Sequence, residues 1–186
     1  GEESFAAFAK RHIAVRASTV GESGGPARHL LSVLLAASGP IPEDAIIGAT
    51  RVQFSRHADV DILVSAALNR VRFAVHSWRQ DRQHLFRVSH RAYADALRST
   101  LTANELHEGT VSLAEWCASE STTGDSYALR NGPRHLLAAI KTGGSDRGLA
   151  QRLYDLARDP DVAEHLRADS SAGVRSVTAF LRSASL

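Results

Sequence analysis

Between residues 71 and 88 the apolar pattern changes period, and that change constrains the fold more than any other feature of the chain. Val71, Phe73 and Val75 alternate with Arg72, Ala74 and His76; a polar stretch, Arg79 to Gln83, follows; then Phe86 and Val88 alternate with Leu85 and Arg87. Period two on both sides of a short polar turn predicts an antiparallel hairpin. Everything before it has helical spacing. Ser4 to Val15 carries Phe5, Phe8, His12 and Val15 on one amphipathic face, and Gly21 to Pro26 interrupts it. The run Leu30, Leu31, Val33, Leu34, Leu35 predicts a buried helix from Ala27, stopped by Gly39-Pro40. Pro42-Glu43-Asp44 starts the next helix, with proline in its first turn, Ala45, Ile46 and Ile47 as its apolar stripe and Gly48 as its end. Asp59 to Asn69 is a third, with Val60, Leu63, Val64, Ala67 and Leu68 on its inner face.

Three short helices followed by a two-stranded ribbon is the element order of a winged-helix domain, a variant of the helix-turn-helix plan. After residue 89 the pattern returns to helix. His90 to Arg98 and Glu105 to Ala118 come first, and Ser119 to Gly124 is a polar break. Asp125 caps a helix that Asn131-Gly132-Pro133 ends, a further helix runs through Ile140, and Thr142 to Ser145 stops it. Leu149 to Ala157 and Val162 to Leu166 are divided by Asp159-Pro160 as cap and first-turn proline, and Val174 to Leu181 is the last candidate. The expected architecture is mainly α: an N-terminal helix and linker over 1–24, a winged-helix domain over 25–100 and a helical domain over 101–186. Its core should include Leu31, Leu34, Ile46, Leu63, Val64, Phe73, Val75, Phe86 and Val88.

Composition narrows the function classes. With 44% hydrophobic and 23% charged residues in 186, wholesale disorder is not expected. A formal net charge of only +2 gives a weak long-range field, so nucleic-acid binding cannot be argued from charge, even with a sequence pI near 9.0. Cys117 is the single cysteine, which excludes an intramolecular disulfide and any multi-cysteine zinc site and fits a reducing cytosol. No apolar run is long enough for a membrane span, so the expected location is cytoplasmic, with no membrane partner. The bias to arginine over lysine and to alanine suggests a high-GC bacterial coding sequence. A chain without methionine that opens Gly1-Glu2-Glu3 is expected to be a piece of a longer polypeptide.

No catalytic constellation emerges. Neither Gly21 to Gly25 nor Gly143 to Gly148 has the lysine and hydroxyl of a phosphate-binding loop, and Lys141 precedes its glycines rather than following them. Among the nine histidines, His84, His90 and His107 are the first to inspect for metal, but none has a second ligand at helical pairing distance, so no metal site is expected. Cys117, between Trp116 and Ala118, reads as a small core thiol, and no Gly-x-Ser-x-Gly elbow occurs. The chain is therefore not expected to be an enzyme. A winged helix raises a DNA-binding alternative in which Arg79 and Arg82 at the wing tip and Arg72 nearby, with Arg56 and Arg70, meet phosphates. Asp59 and Asp61 at the start of the reading helix oppose it, since their charges would face the same phosphates.

Three segments in order carry a family resemblance. Leu85-Phe86-Arg87-Val88-Ser89-His90-Arg91-Ala92-Tyr93-Ala94-Asp95-Ala96-Leu97-Arg98 resembles the pattern that closes the winged-helix domain of bacterial STAND NTPases, signal-transduction ATPases of the NACHT type. Asp125-Ser126-Tyr127-Ala128-Leu129-Arg130-Asn131-Gly132-Pro133-Arg134-His135-Leu136 is similar to their helical-domain signature, and Leu156-Ala157-Arg158-Asp159-Pro160-Asp161 to the helix boundary that follows. The resemblance implies a non-catalytic regulatory module between a nucleotide-binding domain and a repeat-built sensor, both in the same polypeptide, with ADP or ATP bound by the parent protein and no cofactor in this chain. It places at His90 the histidine that in related proteins reaches the β-phosphate of ADP and holds the inactive state. Arg91-Ala92-Tyr93 departs from the polar-Ser-Phe trio that is commonest there.

Overall fold

A computed structural model describes residues 4–22, 24–37, 39–121, 125–143, 147–168, 175, 177–179 and 181–182. Among them the chain is mainly helical, with one small antiparallel sheet. It divides into two compact units, the first ending at Leu113 and the second beginning at Ala114.

In the first unit, α1 (Phe5–Val20) and α2 (Pro26–Ala37) precede a two-residue strand β1 (Ile41–Pro42). Helices α3 (Glu43–Gln53) and α4 (Val60–Val71), a hairpin of β2 (Val75–Gln80) and β3 (Gln83–Val88), helix α5 (Arg91–Thr100) and helix α6 (Ala103–Glu120) follow, with the division between units falling inside α6. Helix α2 is buried almost throughout, including Leu30, Leu31, Val33, Leu34 and Leu35, and packs against α3 and α4. A helix apolar on nearly every face must be enclosed, which makes α2 the centre of the unit.

Several sequence expectations change here. The ribbon begins at Val75 rather than Val71, because Val71 is the buried last residue of α4. Its turn is Asp81-Arg82, both with positive φ (47° and 70°), instead of the longer Arg79 to Gln83. Two left-handed residues give the two-residue turn whose twist matches the strands, so Arg79 lies within β2 and only Arg82 is at the tip. Pro42 is not in the first turn of α3: it is that helix's N-cap and a member of β1, with Ile41 opposite Phe86 and Pro42 opposite Leu85. A proline with no N–H suits a short edge strand, and the sheet order β1-β3-β2 puts β3 in the centre. Gly48 does not end α3, since the buried face Ala45, Ile46, Ala49, Thr50 continues past it to Gln53. Of the expected core, Leu31, Leu34, Ile46, Val64 and Phe86 are buried, whereas Leu63, Phe73, Val75 and Val88 are half-buried. Phe73 sits under α1, with His12 and the Arg16 guanidinium each 5.5 Å from its ring centre.

Polar side chains fasten distant segments of this unit together. Glu105, 5% exposed, accepts from Arg28 Nε at 2.6 Å and Arg28 Nη2 at 2.8 Å, from the Gly24 amide at 3.1 Å and from the Thr102 amide at 2.8 Å. Thr102 Oγ1 in turn accepts from the Glu105 amide, completing a capping box at the start of α6. The Arg28 guanidinium beside it holds the Glu105 carboxyl well below the usual carboxylate range. Close by, a methyl at Gly109 would fall 2.1 Å from Ser32 Oγ, so only glycine allows α2 and α6 to meet this closely.

In the second unit, α7 (Ser126–Gly143), α8 (Arg147–Arg158) and α9 (Pro160–Ala168) pack on one another. Asp125 caps α7 by accepting from the Ala128 amide, and Asp159 caps α9 by accepting from the amides of Asp161 and Val162, with Pro160 as first residue. Asn131-Gly132-Pro133 does not break the chain into two helices: α7 runs through it. Pro133 cannot donate to the Leu129 carbonyl, a local cost that the buried Gly132, Pro133, Leu136, Leu137 face outweighs. Gly132 is needed there because a methyl would lie 3.3 Å from Leu156 Cδ2 and 3.4 Å from Cys117 Cβ. Of the last candidate helix, residues 175, 177–179 and 181 are helical and the others in 174–181 lie outside the described residues. No helix among the described residues is long and apolar enough to cross a membrane.

Candidate functional site

His90 lies where β3 ends and α5 begins, in the extended conformation of an N-cap, and its Nδ1 accepts from the Ala92 amide at 3.0 Å. A ring nitrogen that accepts an amide proton carries none itself, so in the neutral imidazole the proton sits on Nε2, which is left as a donor. The ring meets Phe5 of α1 edge to face, with centroids 4.6 Å apart, and this contact together with the cap fixes its orientation.

Beside His90 opens a cleft of about 450 Å³. The end of α2 and the turn after it supply Leu34, Leu35, Gly39 and Pro40; β3 supplies Arg87 and Val88; α5 supplies Arg91, Ala94 and Arg98. Residues 91, 94 and 98 are three and four apart, so they share one face of α5. The walls are apolar and the rim is cationic. Asp95 pairs with both α5 arginines, with Arg91 Nε at 3.7 Å and with Arg98 Nη1 at 3.4 Å, the latter a long hydrogen bond, and such exposed pairs hold their partners weakly. The Arg87 guanidinium lies 5.4 Å from the Trp78 ring centre. Sequence reasoning singled out His90 but missed Arg87, Arg91 and Arg98; an arginine at the strand end followed by two on one face of the next helix was the available signal. Arg28 and Glu105 were missed as well, although Thr102-x-x-Glu105 is a readable capping box.

The other candidates do not gather. Arg72 lines a separate groove of about 260 Å³ between α4 and the ribbon, with Glu43 and His84, which are 3.2 Å apart. Arg79 stands opposite His84 in the ribbon and Arg82 is at its tip. On α4, Asp61 pairs with Arg51 at 3.3 Å and Ile62 is 68% exposed. Among the described residues no group of three or more His, Cys, Asp and Glu is placed to hold a metal ion. His107 is half-buried in α6 and Lys141 is exposed near the end of α7.

Cys117 is fully buried, and burial pushes its thiol well above the ordinary range, the environment of a core thiol. Tyr127 and His135, both in the helical-domain segment, share a 3.1 Å hydrogen bond between Oη and Nε2. Burial pushes the tyrosine up and holds His135 down at about 4; His29, buried between α2 and α3, is likewise held down to about 4. In the second unit, a cleft of about 410 Å³ places Arg152 with Asp155 and Asp159, so carboxylates outnumber cations there. Compared with protein-family models, curated proteins and solved structures, the chain finds no match in any of the three.

Proposed function

We propose that residues 25–100 form a winged-helix domain and that the chain is a non-catalytic conformational-switch module of a STAND-type NTPase, coupling the nucleotide state of a neighbouring domain to a sensor. The order α2, β1, α3, α4, β2, β3 with β3 central supports the winged-helix reading. The observation that carries the functional reading is His90 itself. It is held at a strand-to-helix junction with Nδ1 occupied by a backbone amide, so Nε2 is the donor, and it stands at a cationic cleft. A nucleotide phosphate presented by the adjoining domain would meet that donor and the arginines together. ADP and ATP belong to the parent protein, the contacts of this chain are with domains of the same polypeptide, and a cytoplasmic location follows from that role.

The DNA-binding alternative is weaker on the same geometry. The exposed face of α4 offers Asp59, Asp61 and Ile62 at its start, and Arg72, Arg79 and Arg82 are spread over a groove, a strand and a tip. Two measurements on the purified chain separate the readings. A switch module gives no ATP turnover and no mobility shift of duplex DNA at physiological salt. A shift that collapses steeply with salt supports the DNA reading, and ATP turnover that survives repurification overturns both.

A further inference from the structure

The cleft beside His90 is more than a surface for one histidine. We propose that it is an anion site in its own right, that its ligand carries a terminal phosphoryl group, and that Arg87, Arg91 and Arg98 hold that group. The proposal deepens the reading above and rests on it for the nucleotide as the source of the phosphoryl group; the site itself is argued from the cleft.

Three arginines line the cleft, and two of them, Arg91 and Arg98, form exposed ion pairs at 3.7 and 3.4 Å with Asp95, a carboxylate that does not itself line it. Arg91 and Arg98 reach that one carboxylate from a turn before and a turn after it on α5. Two arginines that share one carboxylate can share one anion in the cleft that both line, and a phosphoryl dianion competes for them better than a monoanionic carboxylate does. Arg87 enters from β3, and its contact in the fold is the face of Trp78 at 5.4 Å, a weak partner that it can exchange for an anion. The low-dielectric walls of Leu34, Leu35, Val88 and Ala94 strengthen each of these attractions and leave room for an apolar or aromatic body attached to the phosphate. The N–H of Ala92 is already taken by His90, so it is not a donor to the site. The whole chain has a formal charge of only +2, so the surplus here is local rather than a share of a basic protein.

The test is calorimetric titration of the 186-residue chain with inorganic pyrophosphate, ADP and sulfate at constant ionic strength, with circular dichroism to confirm folding of each variant. Saturable pyrophosphate binding stronger than sulfate is expected, and R91Q/R98Q should weaken it by about tenfold or more. Arg79→Gln, which changes the charge of the ribbon away from the cleft, should leave it unchanged. ADP binding tighter than pyrophosphate assigns the apolar walls to the nucleoside; equal affinities assign a bare diphosphate; both uphold the site. No saturable pyrophosphate binding, no preference over sulfate, or equal weakening by Arg79→Gln overturns it. These failures leave the switch reading standing if the longer protein still retains ADP through His90, and binding here without any effect of His90 there overturns the switch reading alone.

Discussion

The two units bury polar groups in different ways. In the first, the polar bonds of Glu105 join residues 77 and 81 apart in sequence, and His12 and Tyr93 share a 2.7 Å bond across an interval of 81. In the second, the polar contacts of α7 are local, between Asn131 and the Tyr127 carbonyl and between Tyr127 and His135, eight residues on. The first unit is thus clamped at chosen points by ionic and hydroxyl bonds between distant segments, while the second depends on apolar faces meeting across Leu136, Leu153 and Val162. The clefts follow the same division: cationic beside His90, net acidic beside Arg152. A unit clamped through long-range polar bonds can keep a cationic rim in register, which is what a phosphate contact requires.

The difference can be broken most severely at its ionic clamp. Glu105→Ala should destabilise the first unit by about 3–5 kcal/mol, because it strands a largely buried guanidinium as well as removing the capping box. Trp78 lies in the first unit and Trp116 in the second, so denaturant unfolding of single-tryptophan variants reads the two separately. The Trp78 transition should move and the Trp116 transition should move less; equal shifts would show that the units unfold as one. Phe86→Ala should cost a similar amount, about 3–5 kcal/mol of packing at the centre of the sheet. His90→Ala, which loses one cap, should cost only about 0.5–2 kcal/mol.

Acid should act on both units through their histidines. His135 and His29 are held at about 4 in the folded chain against 6.5 in the unfolded chain, so the unfolded state binds more protons between those values. Stability is therefore fully present above pH 6.5 and is lost as pH falls toward 4, by up to about 3 kcal/mol per histidine. His135→Phe should flatten that loss in the Trp116 transition and leave it in the Trp78 transition; an unchanged slope in both would refute the assignment. Below about pH 4.5 the first unit should lose more, since protonating Glu105 opposes its pairing with Arg28.

Smaller substitutions sharpen the same contrast. Gly109→Ala should destabilise the first unit by about 1–3 kcal/mol, since Ser32 and the α2 backbone must move. Tyr127→Phe should cost the second unit about 1 kcal/mol for one hydrogen bond, with His135 left to find another partner. Both are read as midpoint shifts in urea of the corresponding tryptophan signal.

Local pattern made most helices legible: the caps at Asp125 and Asp159, the enclosed run of α2 and the period change at the ribbon all stand in the sequence. What failed was local reading of residues whose role is set from elsewhere. Ile41-Pro42 is too short to show a period and becomes a strand only because β3 passes beside it. Gly48 and Gly132-Pro133 look like stops, yet burial of the faces around them outweighs their propensity. The cleft was half legible for a similar reason: His90 stands out at a junction, whereas Arg87, Arg91 and Arg98 look like ordinary surface arginines until the end of α2 closes the wall opposite them. Glu105 and Arg28 meet across 77 residues, a distance that no single-sequence pattern spans.

The central claim is that His90 acts as a switch contact and not merely as a cap. It is tested most directly by ADP retention and basal signalling of the longer protein with and without His90→Ala. A charge-assisted bond from Nε2 to phosphate is worth about 1.5–3 kcal/mol, so its loss should speed ADP release and shift the off state toward the on state by about ten- to a hundredfold. The isolated chain should stay folded under the same substitution. Unchanged ADP retention and basal activity, or destabilisation of the isolated chain as large as that of Phe86→Ala, would show that His90 only caps α5 and would contradict the account.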